Sequence, residues 1–494
     1  MHNRRDEWMN RACSLTVLAM LACFFATHAY AIDAGSNSTA VADAAEAQDW
    51  DEVARLIESN SPVTASQPDG MTALHWATFR DRVDIVKLLL SKGSDPNAQT
   101  RYAITPLVIA CENGSAKAIA TLLEAGADAS YELPGRETPL MLAARTGTAE
   151  GVRHLLKHGA NPDASERKGQ TALMWAAAKG NVQAVDALVE GGADLNRSLK
   201  TGFTAMMFAA RNGHADVVHR LLAAGVDVNA VMEQTRSGAR SPRKGTSALT
   251  LAVESGHFEL AMMLIEAGAD PNDQRSGFAP LHAISWIRKP ARGEGADGDP
   301  PPRGSGQLTS LQFVRAIVAA GADVNLRLND GKKGRAVLSH KGATPFLLAS
   351  KTADIDYLKL LVELGADPTI PNVDGCTALM AAAGVGVRAV GEEAGTEPEV
   401  IETLKYLIAH GLDVNTVDKN RETAMHGAAY RCFPKVIEFL AAQGADPAIW
   451  NHKNRSGWTP VMIGEGHRPG SFKPSPETVQ ALMTAMGKTD IAEN

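Results

Sequence analysis

The sequence predicts an all-α fold: helix–turn–helix pairs with short β-hairpin-like fingers, stacked as an α-solenoid in one elongated array. Three observations predict it. First, Thr72-Ala73-Leu74-His75-Trp76-Ala77 returns as Thr105-Pro106-Leu107, Thr138-Pro139-Leu140, Thr171-Ala172-Leu173 and Thr204-Ala205-Met206, at intervals of 33 residues. A fixed period of this length marks a stack of supersecondary units that cannot bury their apolar faces alone. Second, each return is followed by a turn, a second apolar helical pattern and a Gly-Ala-Asp stop, as at Gly126-Ala127-Asp128, Gly192-Ala193-Asp194 and Gly268-Ala269-Asp270. Third, 45% of the residues are hydrophobic but only 5% are aromatic. Such a core is built from Ala, Leu, Val and Ile, which suits close-packed helices.

Each element has its own signal. The motif Thr is an N-cap, whose hydroxyl accepts an orphan N–H of the first turn. Gly213-His214 opens the second helix of its unit, and Val217, Val218, Leu221 and Leu222 supply its apolar stripe. The closing Gly adopts positive φ and ends that helix. The series continues at Ser247, Ala279, Thr344, Thr377, Thr423 and Thr459, at intervals of 43, 32, 65, 33, 46 and 36 residues. The excess over 33 marks insertions.

The T-x-L-H-x-A start, the G-H turn, the V-x-x-L-L helix, the G-A-D-x-N ending and the period together resemble ankyrin repeats. The resemblance runs from about residue 40 to 486. The C-terminal part, with its insertions and Gly457-Trp458-Thr459-Pro460, is similar to a bacterial exported ankyrin-repeat subfamily of unassigned activity. The expected layout is a signal peptide at 1–31, a linker at 32–39, an N-terminal capping repeat at 40–69 and ankyrin repeats over 70–456. Repeats start near 70, 103, 136, 169, 202, 245, 277, 342, 375 and 421, with inserts at about 231–244, 288–307, 327–340 and 387–399. A C-terminal capping repeat at 457–486 and a tail at 487–494 complete it. The inserts 288–307 and 387–399 fall between the two helices of their repeats, on one edge, two repeats or roughly 20 Å apart.

The first residues carry Arg4, Arg5 and Arg11, then the apolar run Cys13–Ala26, then Ala29-Tyr30-Ala31. A basic start, a short apolar middle and an A-x-A end form a secretory signal pattern. The run is short for a membrane span, which takes about 20 residues. Export to the periplasm or the exterior is expected, with an uncleaved anchor as the alternative. The whole chain is −7, and loss of residues 1–31 leaves −8, because that segment holds three arginines, one aspartate and one glutamate. Moderate acidity disfavours whole-surface nucleic-acid binding. Cys111, Cys376 and Cys432 then remain, widely spaced and without a C-x-x-C, so neither a disulfide framework nor a zinc site is expected.

No nucleophile elbow, H-E-x-x-H, P-loop or dinucleotide fingerprint occurs. The expected chain is therefore not an enzyme, with no catalytic residues, no cofactor and no metal. The resemblance gives Thr72, Thr105, Thr138, Thr171, Thr204, Thr344, Thr377 and Thr423, with His75, His282 and His426, a structural role in tying neighbouring turns together. His154 and His158 share a helix face, but the apolar stripe of that helix lies elsewhere, so they read as solvated.

The resemblance also implies binding through a concave side, made of finger tips and the ends of first helices. The residues assigned there are Phe79, Arg80, Arg145, Lys179, Arg211, Trp286, Lys351, Tyr430 and Arg431. Arginine and large aromatics dominate interface hot spots. Basic finger residues such as Arg167, Lys200, Arg243 and Lys341 lean the same way. The expected function is a non-catalytic scaffold that binds a protein partner, acidic in character, through a locally basic face. A monomer is expected, without nucleic acid and without a membrane span once the signal is cleaved. Two alternatives stay open: a secreted effector acting on host proteins, and an enzyme or metal binder using the inter-helix inserts.

Overall fold

The computed structural model describes residues 39–233, 243–290, 302–331, 338–387, 390–391, 393–467 and 474–488. The signal segment 1–31 and most of the 231–244 insert lie outside the described residues, as do the middles of the 288–307 and 327–340 inserts and parts of 387–399 and the tail.

The chain divides into two compact units, residues 1–167 and 168–494. The first holds α1 (Ala40–Glu46), α2 (Trp50–Glu58), α3 (Ala73–Phe79), α4 (Val83–Ser91), α5 (Pro106–Asn113), α6 (Ala116–Glu124), α7 (Pro139–Thr146) and α8 (Ala149–Lys157). The second holds α9 (Ala172–Lys179), α10 (Val182–Glu190), α11 (Ala205–Asn212), α12 (Ala215–Ala223), α13 (Ala248–Glu254), α14 (Phe258–Glu266), α15 (Pro280–Arg288) and α16 (Ser310–Ala319). It continues with α17 (Pro345–Lys351), α18 (Ile355–Glu363), α19 (Ala378–Ala383), α20 (Glu397–Ala409), α21 (Ala424–Arg431) and α22 (Pro434–Ala442). The short α23 (Pro447–Trp450), then α24 (Pro460–Gly464) and α25 (Pro476–Ala485), close it. Within each unit, first helices pack on first helices and second helices on second helices, giving two layers. Among the described residues the fingers carry only isolated β-bridges, Ser66 with Thr72, Ser198 with Thr204 and Val231 with Ser247. The fold is all-α.

The first helices are short because their signals are close together. Thr204 Oγ1 accepts from Met207 N and opens α11; nine residues later Gly213, at φ +75°, closes it. A Cβ there would also fall 2.5 Å from the His257 ring, so glycine is required twice over. These helices are buried on most sides, as in Ala205, Met206, Met207, Phe208, Ala209 and Ala210. The second helices bury one stripe each, such as Val217, Val218 and Leu221 of α12.

The repeats are also clasped at their fingers. Asn272 donates to the Gly321 carbonyl at 3.0 Å and accepts from Asp323 N at 2.8 Å. Asn97, Asn229, Asn325 and Asn415 make the same two bonds one repeat onward. These five finger asparagines thus each satisfy a helix-terminal carbonyl and the next turn's amide.

Candidate partner-binding surface

The motif histidines are fully buried. Thr72 N–H donates to His75 Nδ1 at 3.2 Å, and His75 Nε2 donates to the Ile104 carbonyl at 3.1 Å in the next repeat. His426 repeats this with Thr423 and the His452 carbonyl. Burial pushes the imidazoles of His75 and His282 down to about 4 and that of His426 to about 3, so all three are neutral bridges. His282 Nε2 reaches the carbonyls of Leu326 and Ala343, but its Nδ1 has no partner among the described residues. The cause is legible in the sequence: Ala279 stands where other repeats place a hydroxyl. The remaining motif threonines, Thr105, Thr138, Thr171, Thr204, Thr344 and Thr377, all accept the N–H three residues on.

In the first unit, Phe79 and Arg80 are half-buried at the end of α3. The guanidinium carbon of Arg80 sits 5.1 Å from the Phe79 ring, which meets Trp76 edge to face at 6.1 Å. Arg145 is closed off differently. It forms a half-buried ion pair with Glu112 of the preceding first helix. Asn113 turns back to the carbonyls of Thr78 and Phe79, both at 3.1 Å.

In the second unit, Lys179 is exposed at the end of α9. The guanidinium carbon of Arg211 lies 5.3 Å from Phe203 and 5.6 Å from Phe208, whose rings meet edge to face at 4.6 Å. Trp286 is half-buried and packs edge to face on Phe278 at 4.9 Å, with Arg243 stacked on the other ring at 4.9 Å.

Three expected contact residues are placed otherwise. Tyr430 is 1% and Arg431 3% exposed. Arg431 Nη2 donates to the carbonyls of Ala394 and Gly395 at 2.6 and 2.9 Å, and Lys351 Nζ bonds Glu393 Oε1 at 2.5 Å. The C-terminal part of the 387–399 insert therefore lies across these first helices as a strap. Gly395, at φ +95°, lets it approach: a Cβ there would fall 2.9 Å from that of Ala353. The neighbouring Ile287 and Thr352 are buried as well. Tyr430 faces inward because its hydroxyl donates to Glu422 Oε1 at 2.9 Å.

The expected 20 Å gap between the two inter-helix inserts is likewise corrected at their roots. Lys289 Nζ bonds Glu399 Oε1 at 2.7 Å, and Arg288 grips buried Asp354 through two nitrogens at 2.7 and 3.1 Å. Long side chains bridge the intervening repeat. The returning arm of the first insert is pinned to α14, with Ser305 N donating to His257 Nδ1 at 2.9 Å and Gln307 N to Glu259 Oε1 at 2.7 Å. Among the described residues no group of three or more His, Cys, Asp or Glu side chains is placed to hold a metal ion. Cys111 and Cys376 are buried free thiols whose pKa is pushed well up by burial.

Comparison with known proteins agrees with this architecture. Family models described as "Ankyrin repeats (3 copies)" match residues 95–166 and 140–232, "Ankyrin repeat" matches 69–101 and 244–276, and "Ankyrin repeats (many copies)" matches 397–441. Similar proteins include Alpha-latroinsectotoxin-Lt1a of Latrodectus tredecimguttatus, 36% identical over 21% of this chain and 6% of the toxin. They also include the 2-5A-dependent ribonuclease of Mus musculus, 39% identical over 16% and 11% of the two chains. Putative ankyrin repeat protein L86 of Acanthamoeba polyphaga mimivirus is 30% identical over 26% and 24%. The chain thus spans no more than about a quarter of the length of these relatives. A solved human ASB11 ankyrin repeat domain is 28% identical, covers 47% of this chain and 98% of its own, and superposes with a TM-score of 0.40. The periodic motif, the two-layer packing and the repeat-by-repeat family matches agree, and the chain is an ankyrin-repeat protein.

Proposed function

We propose that this ankyrin-repeat scaffold works outside the cytoplasm, in the periplasm or beyond the cell, and binds an acidic protein partner through its concave, first-helix face. Ankyrin repeats are protein–protein interaction scaffolds. One observation carries the finer reading. Arg80 and Arg211, at the ends of first helices in the two units, are stacked on phenylalanine rings and have no carboxylate partner among the described residues. Arg145 and Lys351 at equivalent positions are neutralised within the chain. In the second unit Arg211, Lys179 and Trp286 are the accessible part of the expected face, and Arg80 is its counterpart in the first. The export reading rests on Arg4, Arg5, Cys13–Ala26 and Ala29-Tyr30-Ala31.

The test is affinity capture from an envelope fraction, using photo-crosslinkers placed at Arg80, Lys179, Arg211 or Trp286. A partner cross-linked at these positions, and lost on Arg80→Glu with Arg211→Glu, is expected. Capture that ignores both substitutions sinks the reading. N-terminal sequencing of the exported protein should begin at Ile32; a chain retained with residue 1 in the cytoplasm removes the export half.

A further inference from the structure

We propose that Arg211 is the carboxylate-reading residue of a docking groove on the second unit, and that its occupant is an acidic, extended segment of a protein partner. This rests on the scaffold reading and narrows it to one site and one ligand chemistry.

Four other cations of the first-helix layer in this unit are closed off within the chain. Lys351 is closed by Glu393, Arg288 by Asp354, Lys289 by Glu399, and Arg431 by backbone carbonyls. Arg211 has no such partner. Its Nε is buried and without a hydrogen-bond partner among the described residues. That atom is closed to solvent, so a carboxylate meets the half-buried guanidinium through its outer Nη atoms. The chain holds more acids than bases, 56 against 49, so an unmatched guanidinium is not a shortage of carboxylates.

The site is also pre-organised. Phe203 and Phe208 are 4% and 7% exposed, and together they form the platform under the guanidinium. Stacking fixes the plane of the fork, and a planar fork matches a carboxylate through two parallel N–H bonds. The backbone behind it is held as well, because His257 Nε2 lies 3.2 Å from the Arg211 carbonyl. Less rotamer entropy is then lost when a ligand arrives.

Two repeats onward a related arrangement occurs. Exposed Arg243 stacks on Phe278, and Trp286 closes the edge of that ring. Adjacent first helices lie roughly 10 Å apart, so two repeats span roughly 20 Å, about six residues of extended chain. An occupant with acidic residues six apart therefore reaches both arginines. Glu254 stands between them at the end of α13, its carboxyl pushed up by burial and drawn down by Arg243. A fixed acid at that point disfavours a continuous polyphosphate track and suits discrete side-chain carboxylates.

Fluorescence anisotropy of the full chain with a labelled Glu-x-x-Glu-x-x-Glu peptide tests this. The Gln-for-Glu peptide and a single-stranded oligonucleotide serve as comparisons. The acidic peptide should bind, the glutamine peptide about tenfold or more weaker, and Arg211→Ala should weaken the acidic peptide by a similar factor. Arg211→Lys should recover only part, since an ammonium lacks the planar fork. Arg211→Gln, which keeps much of the stem, serves if the alanine variant melts early. No binding by the wild type, equal binding by the variants, or preference for the oligonucleotide overturns the proposal. A cellular partner still cross-linked at Lys179 in the Arg211→Ala protein would leave the scaffold reading standing while this site fell.

Discussion

Lys351 Nζ lies 2.5 Å from Glu393 Oε1, so a residue placed to meet a partner meets the chain's own insert. Both side chains are mostly buried, at 17% and 12% exposure. Removing one member of a buried pair leaves the other charge uncompensated. Glu393→Gln should therefore destabilise the second unit by about 1–3 kcal/mol in denaturant unfolding. Amide exchange at 393–396 should rise more than elsewhere, because Arg431 would be left alone to hold the strap. Unchanged protection there would mean that the pair does not secure it.

The repeat was legible because its signals are local. Thr204, Gly213 and the Gly225 turn each act within a few residues, so position in the motif determines position in the helix. Surface assignment is a different kind of inference. It assumes that every repeat presents the same positions, and this fails wherever an insert returns to cover them. Nothing near Arg431 in sequence signals that residues 394 and 395 will be its acceptors. The pairing of Lys289 with Glu399 spans 110 residues and was equally invisible. Ala279 in place of Thr, by contrast, announced the orphaned nitrogen of His282 directly.

The motif histidines make acid stability a property of the repeat. Burial holds His75 and His282 at about 4 and His426 at about 3, below an ordinary 6.5. The unfolded chain then binds protons that the folded chain refuses. Their contribution is complete above pH 6.5 and is lost as pH falls through about 4. His426→Gln should cost roughly 1–3 kcal/mol at neutral pH and flatten the decline between pH 6.5 and 4. Parallel pH profiles for the variant and the wild type, from urea midpoints, would show that the ring is not the titrating group.

Glu422 acts with the opposite sign. It is 6% exposed, accepts from Tyr430 Oη at 2.9 Å and Asn454 Nδ2 at 3.0 Å, and shares its turn with buried Asp418. Burial, then the Asp418 charge, pushes its carboxyl up to about 7 from 4.5. The folded chain therefore holds a proton that the unfolded chain releases. Stability from this group is complete below pH 4.5 and is lost as pH rises through about 7, a span worth roughly 3 kcal/mol. Glu422→Gln keeps the acceptor oxygen and should raise stability at pH 8 relative to pH 5, compared with the wild type. The cap helices α24 and α25 should show the change first in amide exchange, because Asn454 belongs to the finger that leads into them. A Glu422→Gln profile that tracks the wild type across pH 5 to 8 would exclude a proton at this site.

The finger asparagines give the last prediction, one about additivity. Asn272 spans two repeats by donating to Gly321 O and accepting from Asp323 N, and Asn415 does the same for Gly444 and Asp446. These bonds are solvent-exposed, so each alanine substitution should cost about 1 kcal/mol. Stacked repeats add nearest-neighbour terms, and the two sites share no partner, so the double variant should cost the sum within about 0.5 kcal/mol. Asn272→Asp should be worse than Asn272→Ala. The carboxylate keeps the bond from Asp323 N but turns a second acceptor toward the Gly321 carbonyl, beside the charges of Asp270 and Asp323. Urea midpoints for the four variants and the wild type decide it. An aspartate variant as stable as the alanine variant would show that the donated bond to Gly321 contributes nothing.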